Sequence, residues 1–166
     1  MMLKIVSLAG CPAIVRSLAR AEFPLLSSFF VGGGILSIGG AEAATPFYRK
    51  LPQSRIDLII NLAKRNGVPS RIGHNPPVCY FPIDENADKS FFIAIVEKMI
   101  VEVRRVLGAK KEVLVHCSEG LTRSPAFAVI LFTKLGMPEG DAIQMVQIGV
   151  PDCRLPHFSS WQPLAR

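Results

Sequence analysis

The sequence lacks the cysteine and histidine patterns of a disulfide scaffold or a zinc site. Its four cysteines show no paired spacing, there is no Cys-x-x-Cys, and the three histidines do not cluster. A disulfide-stapled domain would need cysteine pairs, and a structural zinc would need clustered ligands. We therefore predict a protein without metal or cofactor that works in a reducing compartment, with the cytoplasm as its expected location.

The chain also lacks internal repeats, low-complexity tracts and any apolar run of twenty residues. These absences argue against a solenoid, a disordered tail and a membrane span. The net charge of +6 is spread along the chain, which fits a protein that handles anions but has no basic stripe for nucleic acid. A length of 166 residues predicts one domain with a full core, and we expect a monomer.

Residues 1–24 form an N-terminal segment of uncertain role ahead of the domain predicted over residues 25–166. Three basic residues oppose one acidic residue between Met1 and Phe23, so the composition allows a mitochondrial presequence. A secretory signal is disfavoured because no clear small-residue cleavage pattern follows. We favour a leading strand or helix that packs on the domain.

Short apolar runs that suit β-strands alternate along the chain with longer stretches that suit helices. The predicted strands are 29–31, 35–38, 56–62, 78–81 and 113–116, and the predicted helices are 41–51, 90–107, 124–135 and 139–148. This alternation indicates an α/β domain with a mostly parallel central sheet of about five strands flanked by helices. In such sheets ligands bind beyond the carboxyl ends of the strands.

The sequence also predicts how two of the helices are buried and where a mobile loop lies. The 124–135 helix is apolar nearly all round, so we expect it to be buried at the centre. The 90–107 helix should cover one face of the sheet with Phe91, Ile95, Met99 and Val103. Glycine, proline and basic residues between positions 63 and 77 predict a mobile basic loop.

The most informative stretch is His116-Cys117-Ser118-Glu119-Gly120-Leu121-Thr122-Arg123-Ser124, which lies between a predicted strand and a predicted helix. A tight loop at a helix start points N–H groups into one concavity, where the positive end of the helix dipole also lies. That field favours a bound phosphate and stabilises a thiolate at Cys117 near neutral pH. Arg123 offers a planar fork to two phosphate oxygens, and Gly120 lets the backbone approach a ligand closely.

A lone cysteine at a strand end is more often core filler, and a lone arginine is more often a solvated surface charge. The strand before Cys117, the glycine in the loop and the helix start after it favour the functional interpretation.

At these residues the chain resembles the cysteine-dependent protein phosphatases, and in particular their dual-specificity branch. The signature of that branch, His-Cys-x-x-Gly-x-x-Arg followed by Ser or Thr, is complete here. The likeness continues over roughly residues 25–164. It includes Ile38-Gly39-Gly40 as an early strand end, 56–62 as a core strand ending in Asn, 81–85 as the approach to the acid loop, and 156–158 as the start of the last helix. The resemblance implies a protein tyrosine phosphatase-like fold.

The resemblance also implies roles for the loop residues. Cys117 would attack phosphorus, and Ser124 would assist the departure of sulfur when a phosphocysteine intermediate is hydrolysed. The phosphate would be held by the loop residues Ser118, Glu119, Gly120, Leu121, Thr122 and Arg123.

A carboxylic acid completes the mechanism of that family by protonating the leaving oxygen and later activating water. The family places an aspartate three residues after a proline, but here Asp84 is second after Pro82 and Glu85 is third. Residue type favours Asp84 and spacing favours Glu85, so both remain candidates, with Asp88 as an outside possibility. Taken alone, such an acidic cluster more often marks the start of a helix.

The predicted function is a phosphatase that removes phosphate from phosphotyrosine, phosphoserine and phosphothreonine in a phosphorylated protein partner. A phosphoinositide or RNA 5′-phosphatase is an alternative, although Glu119 in a loop without extra cations would repel a polyanion. A catalytically weak pseudophosphatase that only binds phosphoproteins is another, because the acid is displaced. Cys79 is either buried filler or a thiol that resolves an oxidised Cys117.

Overall fold

A computed structural model describes residues 15–18, 25–48, 56–64 and 76–155 of the chain. Most of the predicted basic loop at 63–77 and the predicted last helix at 156–158 lie outside these ranges. The same is true of the N-terminal segment apart from residues 15–18.

The described residues contain one six-stranded sheet. Its strands are β1 (Val15–Leu18), β2 (Ser27–Val31), β3 (Gly34–Gly39), β4 (Ile56–Asn61), β5 (Val78–Tyr80) and β6 (Glu112–His116). They lie side by side in the order β1-β2-β3-β6-β4-β5, so β6 occupies a central position. Every residue of β6 is buried, as an inner parallel strand covered on both faces requires.

Four α-helices accompany this sheet in the described part of the chain. They are α1 (Ala41–Tyr48), α2 (Lys89–Gly108), α3 (Arg123–Lys134) and α4 (Glu139–Gly149). Each of the four predicted helices is therefore present, and so are all five predicted strands. No helix within the described residues has the length and apolar character needed to cross a membrane.

The sheet is mixed, and it has one strand more than predicted. The three pairings among β3, β6, β4 and β5 are parallel, whereas β1 with β2 and β2 with β3 are antiparallel. The antiparallel part arises because Gly32 and Gly33, at φ of 57° and 101°, form a two-residue turn that folds β2 back on β3. The sixth strand, β1, extends this hairpin at the sheet edge and comes from the segment before residue 25.

Helix α3 is the central helix, as its composition predicts. Every residue from Arg123 to Phe132 is buried. The helix ends at Lys134, and Gly136, just beyond it, has a φ of 101° and donates its N–H to the Thr133 carbonyl at 3.0 Å.

The predicted apolar face of α2 is wrong by one position at its start. Phe91 is 61% exposed and Ile95 is half-buried, and Phe92 and Val96 are buried in their place, whereas Met99 and Val103 are buried as predicted. Residues 91 to 96 offer two apolar stripes, and the one that is buried continues at helical spacing through Val106 to the end of the helix.

Three parallel strands end at the same level of the sheet. Gly39 of β3 and Asn61 of β4 are both paired with His116, the last residue of β6. The loops that follow these three strands consequently meet at one edge, where a parallel sheet binds its ligands.

Candidate active site

The loop that follows β6 is shaped by close contact with the turn between β3 and α1. Gly120 has a φ of +82°, and a β-carbon there would lie 2.5 Å from the Gly40 nitrogen. Two backbone hydrogen bonds join the segments, from the Cys117 N–H to the Gly39 carbonyl at 3.2 Å and from the Ala41 N–H to the Ser118 carbonyl at 2.9 Å. Glycine is therefore required at position 120 both by conformation and by space.

The sulfur of Cys117 is buried at the base of this loop. The residue is 1% exposed, and its Sγ accepts a hydrogen bond from the Gly120 N–H at 3.2 Å. The Ser124 hydroxyl lies 3.5 Å from the sulfur and 3.2 Å from the Gly39 carbonyl, to which it donates. The Gly120 N–H and the N-terminal end of α3 thus both direct positive charge towards the sulfur.

Arg123 is held rigidly, with one donor left over. Its Nη1 donates to the carbonyls of Leu62 and Ile83, at 3.4 and 3.1 Å. Its Nη2 donates to the Ser118 hydroxyl at 2.9 Å and to the Glu85 carboxylate at 3.0 Å. The residue is 3% exposed, yet its Nε has no hydrogen-bond partner within the described residues. A buried donor without a partner is costly, so this Nε suits an incoming anion.

The two leading acid candidates differ in their partners. Asp84 is an exposed carboxylate bound to the Lys64 ammonium, and this hydrogen bond lowers the pKa of Asp84. Glu85 instead reaches the guanidinium of Arg123, although its side chain is 65% exposed. The structure thus pairs Glu85 with Arg123 and Asp84 with Lys64.

Asp88 caps the N-terminus of α2, where its carboxylate accepts the backbone N–H groups of Ser90 and Phe91. The structural interpretation of this acidic residue, as one that marks a helix start, is therefore confirmed.

The other loop residues differ in their exposure and contacts. The side chains of Ser118 and Glu119 are exposed, and Thr122 precedes α3 without making a side-chain capping hydrogen bond. The Leu121 carbonyl accepts the Arg154 N–H at 2.7 Å, which ties the loop to the segment after α4.

A cleft of about 680 Å³ opens beside the loop. It is lined by Lys64, Tyr80, Pro82, Asp84, Glu85, Asn86, Ser118 and Arg123. Its wall thus unites the phosphate-binding arginine with both acid candidates. It also adds an aromatic side chain, Tyr80, whose hydroxyl donates to the Lys64 carbonyl at 3.3 Å.

Sequence reasoning missed several residues that shape this site. Gly40 packs closely against the backbone of Gly120 in the loop after β6, Lys64 pairs with Asp84, and Tyr80 lines the cleft. The adjacent glycines at 39 and 40 were a visible signal for a close backbone approach. Nothing in the local sequence marked Lys64 or Tyr80.

Cys79 packs against the main core as a half-buried residue. Burial, followed by the charge of Glu102, raises the pKa of its thiol. A protonated, partly buried thiol is a poor attacking group, so the packing supports the filler interpretation.

Known proteins were compared with the chain by sequence and by structure. No protein-family model matches the sequence, and no curated protein does either. Human DUSP28 is 21% identical with a TM-score of 0.62, covering 82% of this chain and 89% of that one. A mouse putative dual specificity phosphatase complexed with zinc tungstate is also 21% identical with a TM-score of 0.62, covering 83% of both chains.

A third solved structure is the human tyrosine phosphatase-like serine/threonine/tyrosine-interacting protein. It is 24% identical with a TM-score of 0.57, covering 72% of this chain and 82% of that one. At such identities the likeness shows the fold alone. The chain has the protein tyrosine phosphatase-like fold seen in dual-specificity phosphatases, which confirms in three dimensions the resemblance read from the loop.

Proposed function

We propose that the protein is a cysteine-dependent phosphatase that hydrolyses phosphotyrosine, phosphoserine and phosphothreonine in proteins. The observation that carries the proposal is the buried Cys117 sulfur, which accepts the Gly120 N–H beside Arg123, whose Nε has no hydrogen-bond partner among the described residues. A nucleophile and an anion-binding donor thus share one loop, as phosphoryl transfer through a cysteine needs.

The first half-reaction is displacement at phosphorus. The Cys117 thiolate forms the sulfur–phosphorus bond while the bond from phosphorus to the ester oxygen breaks. Arg123 and the loop N–H groups neutralise charge on the non-bridging oxygens. The leaving oxygen takes a proton from a carboxyl group at the cleft and departs as an alcohol or phenol.

We assign that carboxyl group to Glu85. Its Oε1 is 3.0 Å from the arginine that binds the phosphoryl group, whereas Asp84 is held ionised by Lys64. A phosphoryl group bound by the Arg123 guanidinium would therefore lie next to the Glu85 carboxyl group, within reach of the leaving oxygen.

The second half-reaction releases phosphate from the phosphocysteine. The Glu85 carboxylate takes a proton from water, whose oxygen then attacks phosphorus and displaces the sulfur as a thiolate. The Ser124 hydroxyl, 3.5 Å from Sγ, is placed to donate to that thiolate as it leaves. Inorganic phosphate and the starting enzyme result.

The test is hydrolysis of an activated aryl phosphate by the purified full chain. Cys117→Ser should lower kcat by at least about 10³-fold, because the hydroxyl is a far weaker nucleophile than the thiolate. Cys79→Ser is the matched control and should retain activity, since Cys79 packs outside the cleft. Full activity in Cys117→Ser would refute the phosphocysteine mechanism.

A phospho-binding protein without turnover is the second candidate. The contact that favours it is the ion pair between Glu85 and Arg123, because it engages the proposed proton donor with the anion-binding guanidinium and not with a leaving oxygen. Failure to hydrolyse an activated aryl phosphate, combined with tight binding of a phosphopeptide, would support this candidate. Turnover compared on phosphopeptides, phosphoinositides and RNA 5′-triphosphate would identify the substrate class if hydrolysis occurs.

A further inference from the structure

The cleft beside the nucleophile loop extends beyond the groups that the proposed reaction uses. Arg123, Ser118 and Glu85 belong to the part of its lining where a phosphate would be held. The rest of the lining consists of Lys64, Tyr80, Pro82, Asp84 and Asn86. The volume of about 680 Å³ is in the range of sites that hold drug-sized ligands, so the cleft has room for more than a phosphate group.

Three of these lining residues follow from an alternation of burial after β5. Tyr80, Pro82 and Asp84 are exposed, whereas Phe81 packs on the core and Ile83 is buried. The N–H groups of Phe81 and Ile83 donate to carbonyls at and just after the end of β4, at 2.8 and 3.2 Å. An extended chain places alternate side chains on one side. Residues 80, 82 and 84 therefore form a strip along the cleft wall, which we call the cleft strip.

The cleft strip is apolar at the end that lies next to the sheet. The Tyr80 side chain is 46% exposed, and its hydroxyl donates to the Lys64 carbonyl at 3.3 Å, which orients the ring. Pro82 is exposed two residues further along. Both rings are rigid apolar surfaces, which bind a partner at little cost in side-chain entropy. This end of the strip is thus suited to an apolar side chain.

The apolar end of the strip lies about 10 Å from the start of the nucleophile loop, because two strand spacings separate them. Tyr80 is paired with Asn61 of β4, which is paired with His116 of β6. An extended peptide advances about 3.3 Å per residue, so this span corresponds to about three residues. A peptide whose phosphoresidue enters the loop would therefore reach the apolar end with a residue about two to four positions away.

The charges of the cleft favour a peptide over a nucleic acid on this strip. The two carboxylates of the lining are each paired with one of its two cations, so the formal charges of the lining balance. Each nucleotide of an RNA adds a negative charge that such a wall does not neutralise, whereas a peptide backbone adds none. An inositol phosphate has no apolar side chain to cover Tyr80 and Pro82.

We propose that Tyr80 is a specificity-determining residue that, together with Pro82, binds an apolar side chain of a phosphopeptide two to four positions from the phosphoresidue. This inference rests on the proposed function for the phosphate end of the cleft. It deepens that function by naming the substrate class, which is phosphoproteins with leucine, phenylalanine or a similar side chain close to the phosphoresidue.

Turnover of a set of phosphotyrosine peptides by the full chain tests this subsite. Each peptide carries one leucine, at a position from four before to four after the phosphotyrosine, in a background of glycine and serine. At one position two to four residues away, leucine should raise kcat/KM about 5- to 10-fold over serine, the gain expected when about half of a leucine side chain is buried. The gain should lie in KM, because the contact is the same in the bound substrate and the transition state.

The decisive variant is Tyr80→Ser, in which leucine and serine peptides should differ by less than about 2-fold. Because the two peptides are compared on the same variant, a general loss of activity cancels from their ratio. Tyr80→Phe keeps the ring and should keep the preference. Phe91→Ser is the matched control and should also keep it, since Phe91 is an exposed aromatic residue of α2 outside the lining of the cleft.

Two results would overturn the proposal. One is equal turnover of all the peptides by the unchanged protein, and the other is a leucine preference that survives in Tyr80→Ser. Tyr80-dependent binding of a short 5′-triphosphorylated RNA, without binding of the peptides, would assign the ring to base stacking and would also overturn it.

Peptide binding to Cys117→Ser, followed by fluorescence anisotropy, separates this inference from the phosphatase proposal because it requires no turnover. The leucine peptide should bind this variant about 5-fold more tightly than the serine peptide, and adding Tyr80→Ser should remove the difference. If that holds but the unchanged protein hydrolyses neither peptide, the subsite stands and the phosphatase proposal fails. If hydrolysis occurs without any leucine preference, the phosphatase stands and the subsite fails.

Discussion

The nucleophile loop at 116–124 and the acid loop at 84–88 border the same cleft but are held in opposite ways. The nucleophile loop is fixed by buried backbone contacts, such as those of Gly120 with Gly40. In the acid loop, the side chains of Asp84 and Glu85 are 55% and 65% exposed, and each is bound to a single cation. Exposed ion pairs contribute little and are screened by salt. One loop is therefore fixed by packing, and the other is free to exchange partners.

The largest effect should come from disturbing the buried loop. Gly120→Ala places a methyl group 2.5 Å from the Gly40 nitrogen at a φ of +82°, so the loop must move. We expect a loss in kcat/KM of about 100-fold or more, with destabilisation of about 2–4 kcal/mol. Aryl phosphate kinetics and urea unfolding measure the two effects.

The control for that variant is Gly140→Ala in α4, where an added β-carbon meets nothing within 4 Å. It should leave kcat/KM unchanged and stabilise the protein by up to about 1 kcal/mol. Equal behaviour of the two variants would mean that the nucleophile loop is not preorganised by packing.

A smaller and more selective effect should come from the acid loop. On a phosphate ester with a poor leaving group, Glu85→Gln should lower kcat by about 100-fold, and Asp84→Asn by no more than about 3-fold. On an activated aryl ester both losses should shrink, because that leaving group needs little protonation. Glu85→Gln should also lose the basic limb of the pH–rate profile.

The opposite ranking of these two variants would assign the proton to Asp84. In that case the contact between Glu85 and Arg123 would be a resting ion pair only.

The smallest effect is the pH dependence that His116 gives to the free energy of unfolding. Burial lowers the pKa of His116 below its ordinary value of 6.5, so the unfolded chain takes up this proton first as the pH falls. Neutral His116 therefore contributes fully to the free energy of unfolding above pH 6.5. This contribution is lost as the pH falls from 6.5 through the pKa of His116 in the folded protein, and the free energy of unfolding then falls by at most about 1.4 kcal/mol per pH unit. Urea unfolding between pH 8 and 5 should show this slope, and His116→Asn should reduce it. Parallel curves for the two proteins would contradict the assignment.

Much of the fold was predictable because its signals are local. Strand β6 is a run of apolar residues, α3 begins right after the loop, and both lie within twenty residues of Cys117. The hairpin at Gly32 and Gly33 was not recognised, which is why the sheet was expected to be more parallel than it is. The apolar face of α2 was misassigned because two stripes compete near its start.

The site could be predicted from the sequence to a similar extent, again where its signals are local. Cys117, Arg123 and Ser124 lie in one continuous motif, and in the structure Ser124 lies 3.5 Å from the Cys117 sulfur while Arg123 donates to Ser118 of the same loop. The choice between Asp84 and Glu85 could not be made from the sequence, since adjacent residues differ only in where their side chains find partners. Those partners, Lys64 and Arg123, are separated from the acid loop along the chain by 20 and 38 positions.

The sequence by itself determined the strand, the loop and the helix around Cys117, because hydrophobic periodicity and a nine-residue motif act between near neighbours. Only the tertiary structure decided which carboxylate reaches Arg123, which glycine braces the loop and which phenol holds His116. Tyr48 and His116 are 68 positions apart, and they meet because α1 packs beside the end of β6. Contacts of that range depend on how the elements pack, which no local pattern records.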